Sequence, residues 1–372
     1  MKKSTINFNE IISTSGIRLL RIGIMIILLF NFSAVFASCN NSDNNAVMQA
    51  YELRMNGKSD QAKEMLLTII KEDPANAMAQ YELARTLNYI SMVPTEEAAK
   101  AMKAAKELEP DNLIYAYGYA KNCFLEAFMA MQNGNQDVKV LIGKTCNEFN
   151  NVLKLDPNYH EALMYLTEIY GMLPNEMGGD KAKAEKYAQT LEKQDKFYGA
   201  KARLVMMPEG TNMIEYWKNY INKNGESAEA LKELGATSLL NGDTKTAKES
   251  FTKAMAKDKS QNIRLLDLAR FHMMKVMQNR DVASEELPKA KAFIEQYLSL
   301  KPEPIIPLKA YATGMKVNIE RFLGNNAEAE KAMNEASTLD PHFSRAFGIP
   351  SLAQFDPPTK QDHQFLSFFS PF

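Results

Sequence analysis

A pattern that recurs along most of the chain constrains its fold more than any other feature of the sequence. Five prolines follow an acidic residue or a lysine, namely Pro74, Pro110, Pro157, Pro302 and Pro341. An alanine or threonine lies twelve positions before each of them, and a large apolar residue lies eight positions before. Two further frames keep the spacing with lysine in place of proline, at Ala184 to Lys196 and at Ala247 to Lys259. Because small residues let helices approach closely and proline cannot continue a helix, each frame predicts the second helix of a packed hairpin.

These offsets resemble the tetratricopeptide repeat, a helix-turn-helix unit of about 34 residues. The best copy begins at Leu231, turns at Gly242 and keeps the alanine-to-phenylalanine spacing that ends at Phe251. The resemblance covers roughly residues 46–342. It implies an all-α fold, a right-handed superhelix (an α-solenoid) of about six to eight hairpins. Such a stack has a concave face, lined mainly by the first helix of each hairpin, that suits an extended peptide or a partner helix.

The resemblance also implies which side chains line that face. In the best copy the concave positions are Glu229, Lys232, Ala236, Leu239 and Leu240. We expect them to contact a protein or peptide partner. Repeats that grip C-terminal carboxylates use lysine at the position of Lys232 but asparagine at the position of Ala236. This departure argues against a co-chaperone of that kind.

Irregular spacing predicts where individual hairpins differ. The interval from Lys196 to Lys259 is long enough for one additional, degenerate hairpin, approximately residues 198–206 and 211–224. The interval from Pro110 to Pro157 predicts two long helices, at about residues 113–131 and 137–154. No segment shows the two-residue alternation that is typical of a half-buried strand.

The N-terminus has the organisation of an export signal. Four basic residues within residues 1–21 precede an apolar run at residues 22–37, which is shorter than the roughly 20 residues of a membrane span. The sequence Phe36-Ala37-Ser38-Cys39 resembles a bacterial lipobox, which predicts a signal peptide at 1–38, a lipidated Cys39 and a polar tether at 39–45. Asn40 then suggests the outer membrane. The alternative is ordinary cleavage near the same position, with Cys39 incidental.

Charge argues against nucleic acid as a partner. Of the 44 basic and 45 acidic residues, four basic and one acidic precede Cys39, so the remaining chain carries 40 against 44, a net charge of −4. Nucleic-acid binding needs a basic face, and the overall balance gives none.

The C-terminal segment at 343–372 is rich in aromatic residues. We expect it to cap the open end of the solenoid or to fold back into its groove, with a docking peptide as the alternative.

Motifs for catalysis or cofactor binding are incomplete. Gly143-Lys144-Thr145 matches the end of a phosphate-binding loop, but Val138 stands where its first glycine belongs. His160-Glu161 begins like a zinc motif, but Met164 replaces the second histidine. We therefore expect a protein that is not an enzyme and that holds no cofactor or metal.

Cys123 and Cys146 lie at equal distances from the turn predicted at residues 134–135. Residues equidistant from the turn of an antiparallel hairpin lie level with one another, and an exported protein meets an oxidising compartment. A disulfide between them is one interpretation. Two buried free thiols, acting as small apolar side chains, are the other.

The predicted function is a membrane-anchored scaffold for protein–protein interaction in the bacterial envelope. The loop Pro174-x3-Gly178-Gly179-Asp180-x2-Lys183 resembles one in lipoproteins of the TRAP-transporter T component, so an accessory role in solute uptake is an alternative. A glycan-binding lipoprotein is a third interpretation. It is disfavoured because Trp217 is the only tryptophan and no large insertion interrupts the repeats.

Overall fold

The fold consists of helical hairpins placed one after another along the chain. It was obtained as a computed structural model, and the structure describes residues 42–91, 95–344 and 356–361. Within those ranges the α-helices, numbered here in chain order, are α1 Ser42–Met55, α2 Ser59–Glu72, α3 Ala77–Ser91, α4 Glu96–Leu108, α5 Leu113–Gln132, α6 Val138–Leu155, α7 His160–Met172, α8 Lys181–Gln194, α9 Lys196–Val205, α10 Met213–Asn224, α11 Ala228–Leu240, α12 Thr244–Lys257, α13 Arg264–Gln278, α14 Ala283–Leu298, α15 Ile306–Phe322 and α16 Asn326–Leu339. None of the helices described is both long and apolar enough to cross a membrane.

The helices pair as the repeat predicts. An odd-numbered helix and the even-numbered helix after it pack along each other in seven of the eight pairs. In the exception, α9 packs on α7 and α8 while α10 packs on α11. The predicted all-α solenoid is confirmed, with eight pairs in the described residues. The degenerate hairpin is α9–α10, and the two long helices predicted after Pro110 are α5 and α6.

The recurring acidic residue ends one helix and begins the next turn. At Asp73, Asp156, Asp195, Asp258 and Asp340 the carboxylate accepts a hydrogen bond from the backbone N–H two residues later, at 2.8–3.0 Å. This side-chain turn satisfies a backbone donor just where the helix can no longer do so. Glutamate is too long for the same geometry, and Glu109 makes no such bond to the backbone of the described residues. The frame read from the sequence is therefore a stop signal with a defined mechanism.

The small and large residues of each frame form the core between helices. Ala62, Ala98, Ala184, Ala247 and Ala290 have no exposed surface, and neither have Leu66, Phe149, Phe251 and Ile294. In the best copy, a Cβ atom on Gly235 would lie 2.5 Å from the ring of Phe251. Glycine is thus required there for α11 and α12 to approach. Removing these side chains from water supplies most of the stabilisation of each hairpin.

The first and last hairpins meet. A Cβ atom on Gly57, in the α1–α2 turn, would lie 2.0 Å from the carbonyl oxygen of Leu339 at the end of α16. The Tyr89 hydroxyl of α3 donates to the Asp340 carboxylate, and both side chains are buried. His342 Nε2 lies 2.9 Å from Asp60 Oδ2. We call this contact the seam, and it closes the solenoid into a ring.

Closure changes what the C-terminal segment can do. An open solenoid has an exposed end that needs a cap, whereas here the last hairpin already contacts the first. Of the predicted tail at 343–372, the structure describes residues 343–344 and 356–361. The Phe343 ring lies against Gly314 of α15, and the Asp356 carbonyl accepts a hydrogen bond from Arg85 of α3. The rest of the tail, like the predicted signal peptide and Cys39, lies outside the described residues.

Candidate partner-binding face

First and second helices differ sharply in how much of their surface is covered. Eleven of the 13 residues of α11 are buried, whereas only four of the 14 residues of α12 are. The same contrast holds for α3 and α4, with eleven of 15 residues buried against four of 13. Apart from α9, in which only two of ten residues are buried, the odd-numbered helices therefore form the inside of the ring. We call their inward side the inner face.

The inner face is polar although it is buried. A helix covered on all sides usually carries apolar residues throughout. Here the first helices carry buried charges instead, among them Arg54, Glu82, Arg85, Glu161, Glu168, Lys232, Glu233, Arg264, Asp267 and Arg270. Buried charges are costly unless they are paired, so their partners define the chemistry of this face.

One group of charges lies beside the seam, and we call it the N-terminal ion cluster: Arg54, Glu82 and Arg85. Arg54 Nε donates to Glu82 Oε1 at 2.7 Å, and Arg85 Nη1 lies 3.2 Å from Glu82 Oε2. The Arg85 guanidinium also lies 5.4 Å from the centroid of the Tyr81 ring, within cation–π range. Its Nη2 atom donates to the main-chain oxygen of Asp356 at 2.5 Å. The Glu82 carboxylate, which lies between two guanidinium groups, thus holds Arg85 in a position to donate a hydrogen bond to a peptide backbone.

A second group spans α9, α11 and α13, and we call it the central ion cluster: Lys201, Lys232, Glu233, Arg264, Asp267 and Arg270. Glu233 is 3.0 Å from Lys201 and 3.3 Å from Lys232, and Asp267 pairs with Arg264 at 2.8 Å and with Arg270. Burial lowers the pKa of Lys232 to about 7, against the opposing pull of Glu233. Burial works against ionised Glu233 as well, but the two lysines outweigh it and lower its pKa to about 2.

The predicted concave residues lie in this region, but most of them are covered. Leu239 has no exposed surface, and Lys232 and Ala236 are 2% and 6% exposed. Ala236 and Leu239 belong to the apolar core shared by α11 to α15. Only Glu229 and Leu240 are partly exposed. In this conformation a partner could touch those two, whereas the other three support α11 from within.

The two described cysteines are free thiols. Both are buried, Cys123 in the apolar cluster of the first hairpins and Cys146 in the cluster of α5 to α9. The Cys123 thiol lies near the Tyr119 hydroxyl, and the Cys146 thiol near the Tyr170 hydroxyl. Burial raises the pKa of Cys123 to about 11 and raises that of Cys146 as well. Both sulfurs are free thiols in this structure and lie in different apolar clusters, and a disulfide between them stays a prediction.

The incomplete motifs have structural roles. Lys144 pairs with Glu126 of α5 at 2.9 Å, and the preceding glycine lies within α6 and not in a phosphate-binding loop. Glu161 accepts a hydrogen bond from the Tyr198 hydroxyl at 2.6 Å, and the His160 ring packs against Tyr198. In the described part of the chain, no three His, Cys, Asp or Glu side chains are grouped in a way that could hold a metal ion.

The loop between α7 and α8 follows its predicted turn chemistry. Residues Asn175–Met177 form a single 3-10 turn, and Gly178 has a φ angle of 101°. The Asp180 carboxylate accepts from the Lys183 N–H at 3.1 Å and so caps α8. These features explain why the loop has this sequence in a helical hairpin of any function.

Sequence reasoning missed both ion clusters and the seam. A usable signal was present on α13, where Arg264, Asp267 and Arg270 follow one another at three-residue intervals on one face of a first helix. The seam carried no such signal, because its residues come from the two ends of the chain.

Comparisons with known proteins give similarity of structure alone. No protein-family model matches the chain, and no curated protein matches it. Among solved structures, MamA is 18% identical, with 57% of this chain and 95% of that chain covered and a TM-score of 0.29. PilW, a type IV pilus biogenesis factor, is 14% identical, with 83% and 100% covered and a TM-score of 0.28. Human IFIT1, as a dimer with PPP-AAAA, is 14% identical, with 80% and 73% covered and a TM-score of 0.28.

Proposed function

We propose that this chain is a lipid-anchored scaffold of the bacterial envelope that binds a protein or peptide partner. The observation that carries the proposal is the inner face: eight helical pairs bring buried, oriented ionic groups to the inside of one ring. Helical-hairpin solenoids bind extended segments on such a surface, and paired charges give specificity.

The anchor is proposed from the sequence. Cys39 and the residues before it resemble a lipoprotein signal. The tether predicted at residues 39–45 is shorter than expected, because α1 already begins at Ser42. Acyl chains on Cys39 would hold the ring at a membrane surface, because two or more chains anchor far more firmly than one. Asn40 favours the outer membrane as the location.

The experiment is cross-linking and affinity capture from native membranes, comparing the wild type with Cys39→Ala. We expect the wild type to fractionate with the outer membrane and to capture a defined partner, and the variant to be released into the soluble fraction. Equal membrane attachment of both proteins would contradict the anchor. If cross-linkers placed on the inner face captured no protein, that result would contradict the scaffold role.

The identity of captured proteins separates the two envelope roles. A transporter subunit or solute-binding protein would favour the uptake alternative that the α7–α8 loop suggests. Proteins of envelope assembly would favour the general scaffold. Photo-cross-linkers placed at Glu229 and Leu240, which are partly exposed, report on the inner face. A cross-linker at Lys245, which is exposed on the second helix α12, is the matched control.

A further inference from the structure

One segment of the chain lies on the inner face in the manner of a bound peptide. Residues 356–361 follow the last hairpin in sequence, yet Asp356 contacts Arg85 of the second hairpin, 271 positions away. The contact is made by a main-chain oxygen, which any peptide can offer. The arginine that donates to it is 7% exposed and held by Glu82.

The bound segment has a compact and prearranged shape. Its sequence is Asp356-Pro357-Pro358-Thr359-Lys360, and the two prolines restrict the backbone before any contact is made. The Lys360 N–H donates to the Pro357 carbonyl at 3.0 Å, which closes a turn, and the Lys360 ammonium lies 3.0 Å from the Asp356 carboxylate. Pro358 is buried. Such a segment loses little conformational entropy on binding, so a few contacts are enough to hold it in the site.

Charge favours the pairing of this segment with this site. The N-terminal ion cluster contains two guanidinium groups, and the Asp356 carboxylate, which is paired with Lys360, is close enough to Arg85 to act on it electrostatically. Burial lowers the pKa of Arg85, but Glu82, Tyr81 and Asp356 together raise it above its ordinary value. The segment therefore helps to keep the buried arginine charged.

We propose that the inner face at α1 and α3 is a peptide-binding site that the chain occupies with its own residues 356–361. A partner would take the same site with a turn-forming segment of the same chemistry, an acidic residue followed by prolines. The inference rests on the proposed function, because it names the part of the inner face at which a partner binds. It also makes the C-terminal segment an internal competitor of that partner.

The site is coupled to ring closure through α3. Arg85 and Tyr89 lie four residues apart and so on the same side of that helix. Arg85 holds residue 356, and Tyr89 holds Asp340 of the last hairpin. A partner that displaces the segment would therefore act on the helix that also forms the seam.

The test uses full-length protein and a fluorescent peptide of residues 354–363 as the probe. A tethered segment competes at an effective concentration of about a millimolar, so we expect the wild type to bind the peptide weakly. The variant Pro357→Gly/Pro358→Gly loosens the internal segment, and we expect it to bind the peptide at least tenfold more tightly. Fluorescence anisotropy measures both affinities.

Two further variants decide whether Arg85 is the recognition group. On the loosened background, Arg85→Ala should lose at least tenfold in affinity, and Arg85→Lys should lose nearly as much because it lacks the planar fork. Arg203→Ala, which removes a partly exposed arginine that pairs with Glu185 and Glu192 of α8, is the matched control and should bind normally. Circular dichroism checks that every variant is folded. If Arg85→Ala does not fold, the Arg85→Lys result decides the question.

Two results would overturn the inference. The first is equal affinity of the wild type and the loosened variant for the peptide, since the internal segment would then not compete. The second is undiminished binding by the folded Arg85 variant. A gain in peptide affinity together with no partner captured from membranes would contradict the proposed function and leave this site standing.

Discussion

Gly57 shows how much of the architecture depends on a single missing side chain. Its φ angle is 73°, in the left-handed region, and the Leu339 carbonyl occupies the space that a Cβ atom would need. Gly242 has the same role in the α11–α12 turn with a φ angle of 77°, but no atom lies within 4 Å of its Cβ position. Substitution of Gly242 therefore measures the effect of the left-handed turn alone, whereas substitution of Gly57 also measures the effect of the contact with Leu339.

We predict that Gly57→Ala destabilises the protein more than Gly242→Ala. The control should lose about 1 kcal/mol for the left-handed conformation alone. Gly57→Ala should lose that amount and at least about 1 kcal/mol more, because Leu339 must move. Urea unfolding followed by circular dichroism gives both free energies. Equal losses would mean that the last hairpin is not held against Gly57.

The lowered pKa of Lys232 predicts that the free energy of unfolding rises with pH. Burial lowers its pKa to about 7 in the folded protein, below the ordinary 10.5 of the unfolded chain, although Glu233 opposes this and Lys201 and Arg264 support it. Between these values the unfolded state binds one more proton than the folded state. Stability should therefore increase from pH 7 upward, by at most about 1.4 kcal/mol per pH unit.

The measurement is the free energy of unfolding in urea at pH 6 to 9. We expect the wild type to gain stability above pH 7 and Lys232→Met to lose most of that gain. Lys245→Met, which removes an exposed lysine of α12, should retain the wild-type profile. A Lys232→Met profile parallel to the wild type would show that another group titrates in this range.

At the scale of the helix, the aspartate that closes five of the seven frames has a role that proline cannot fill. Proline stops one helix, whereas the aspartate carboxylate begins the next turn by accepting backbone hydrogen bonds. At Asp195 the carboxylate accepts from both Phe197 and Tyr198, each at 2.8 Å, and so caps the short helix α9. This helix needs its cap more than most, because it does not pack along its own partner helix.

Asp195→Ala should cost about 1 kcal/mol of stability, which is typical for the loss of an N-cap. Asp195→Asn should cost only a few tenths, because its amide oxygen can accept the same bonds. Thermal unfolding followed by calorimetry compares the two variants at one pH. An asparagine variant as unstable as the alanine variant would show that charge and not capping is what matters at Asp195.

The helices could be predicted from the sequence, whereas their surroundings could not. Frames such as Ala247 to Phe251 need only the neighbouring helix to bury their apolar side, so the pattern is local and visible. Cys146 and Leu239 show the limit of this reasoning. Their positions on the helices were predicted, but the partner of the thiol and the cover over the leucine come from helices in other hairpins.

At the scale of the whole molecule, closure of the ring depends on the accumulated rotation of eight hairpins. Each hairpin is rotated by a small angle relative to the previous one, and the total rotation cannot be inferred from any single residue. The residues that complete the seam are ordinary in sequence: Tyr89 is one of 15 tyrosines, and Asp340 belongs to a frame that recurs. This is why an open solenoid was the natural expectation.

Closure predicts a distinctive pattern of hydrogen exchange. In an open solenoid the terminal hairpins fray first, because each has one neighbour instead of two. Here α2 and α16 should be protected about as well as the central helices. In Tyr89→Phe, which removes the hydrogen bond to the buried Asp340, both ends should exchange faster while α7 is unchanged.

Mass spectrometry of peptides from α2, α7 and α16 makes this comparison. Tyr117→Phe, at another buried tyrosine that belongs to the apolar cluster of α5 to α9, is the control for the loss of a hydroxyl group. Terminal helices that already exchange rapidly in the wild type would contradict a closed ring in solution.

A closed ring also sets a limit on the kinetics of association. A long segment reaches the inside either by entering through one of the two openings or after the first and last hairpins part at Tyr89 and Asp340. Where parting comes first, the observed rate of binding stops rising with partner concentration and equals the rate at which the hairpins separate. The strength of the hydrogen bond between Tyr89 and Asp340 would then limit the rate of complex formation.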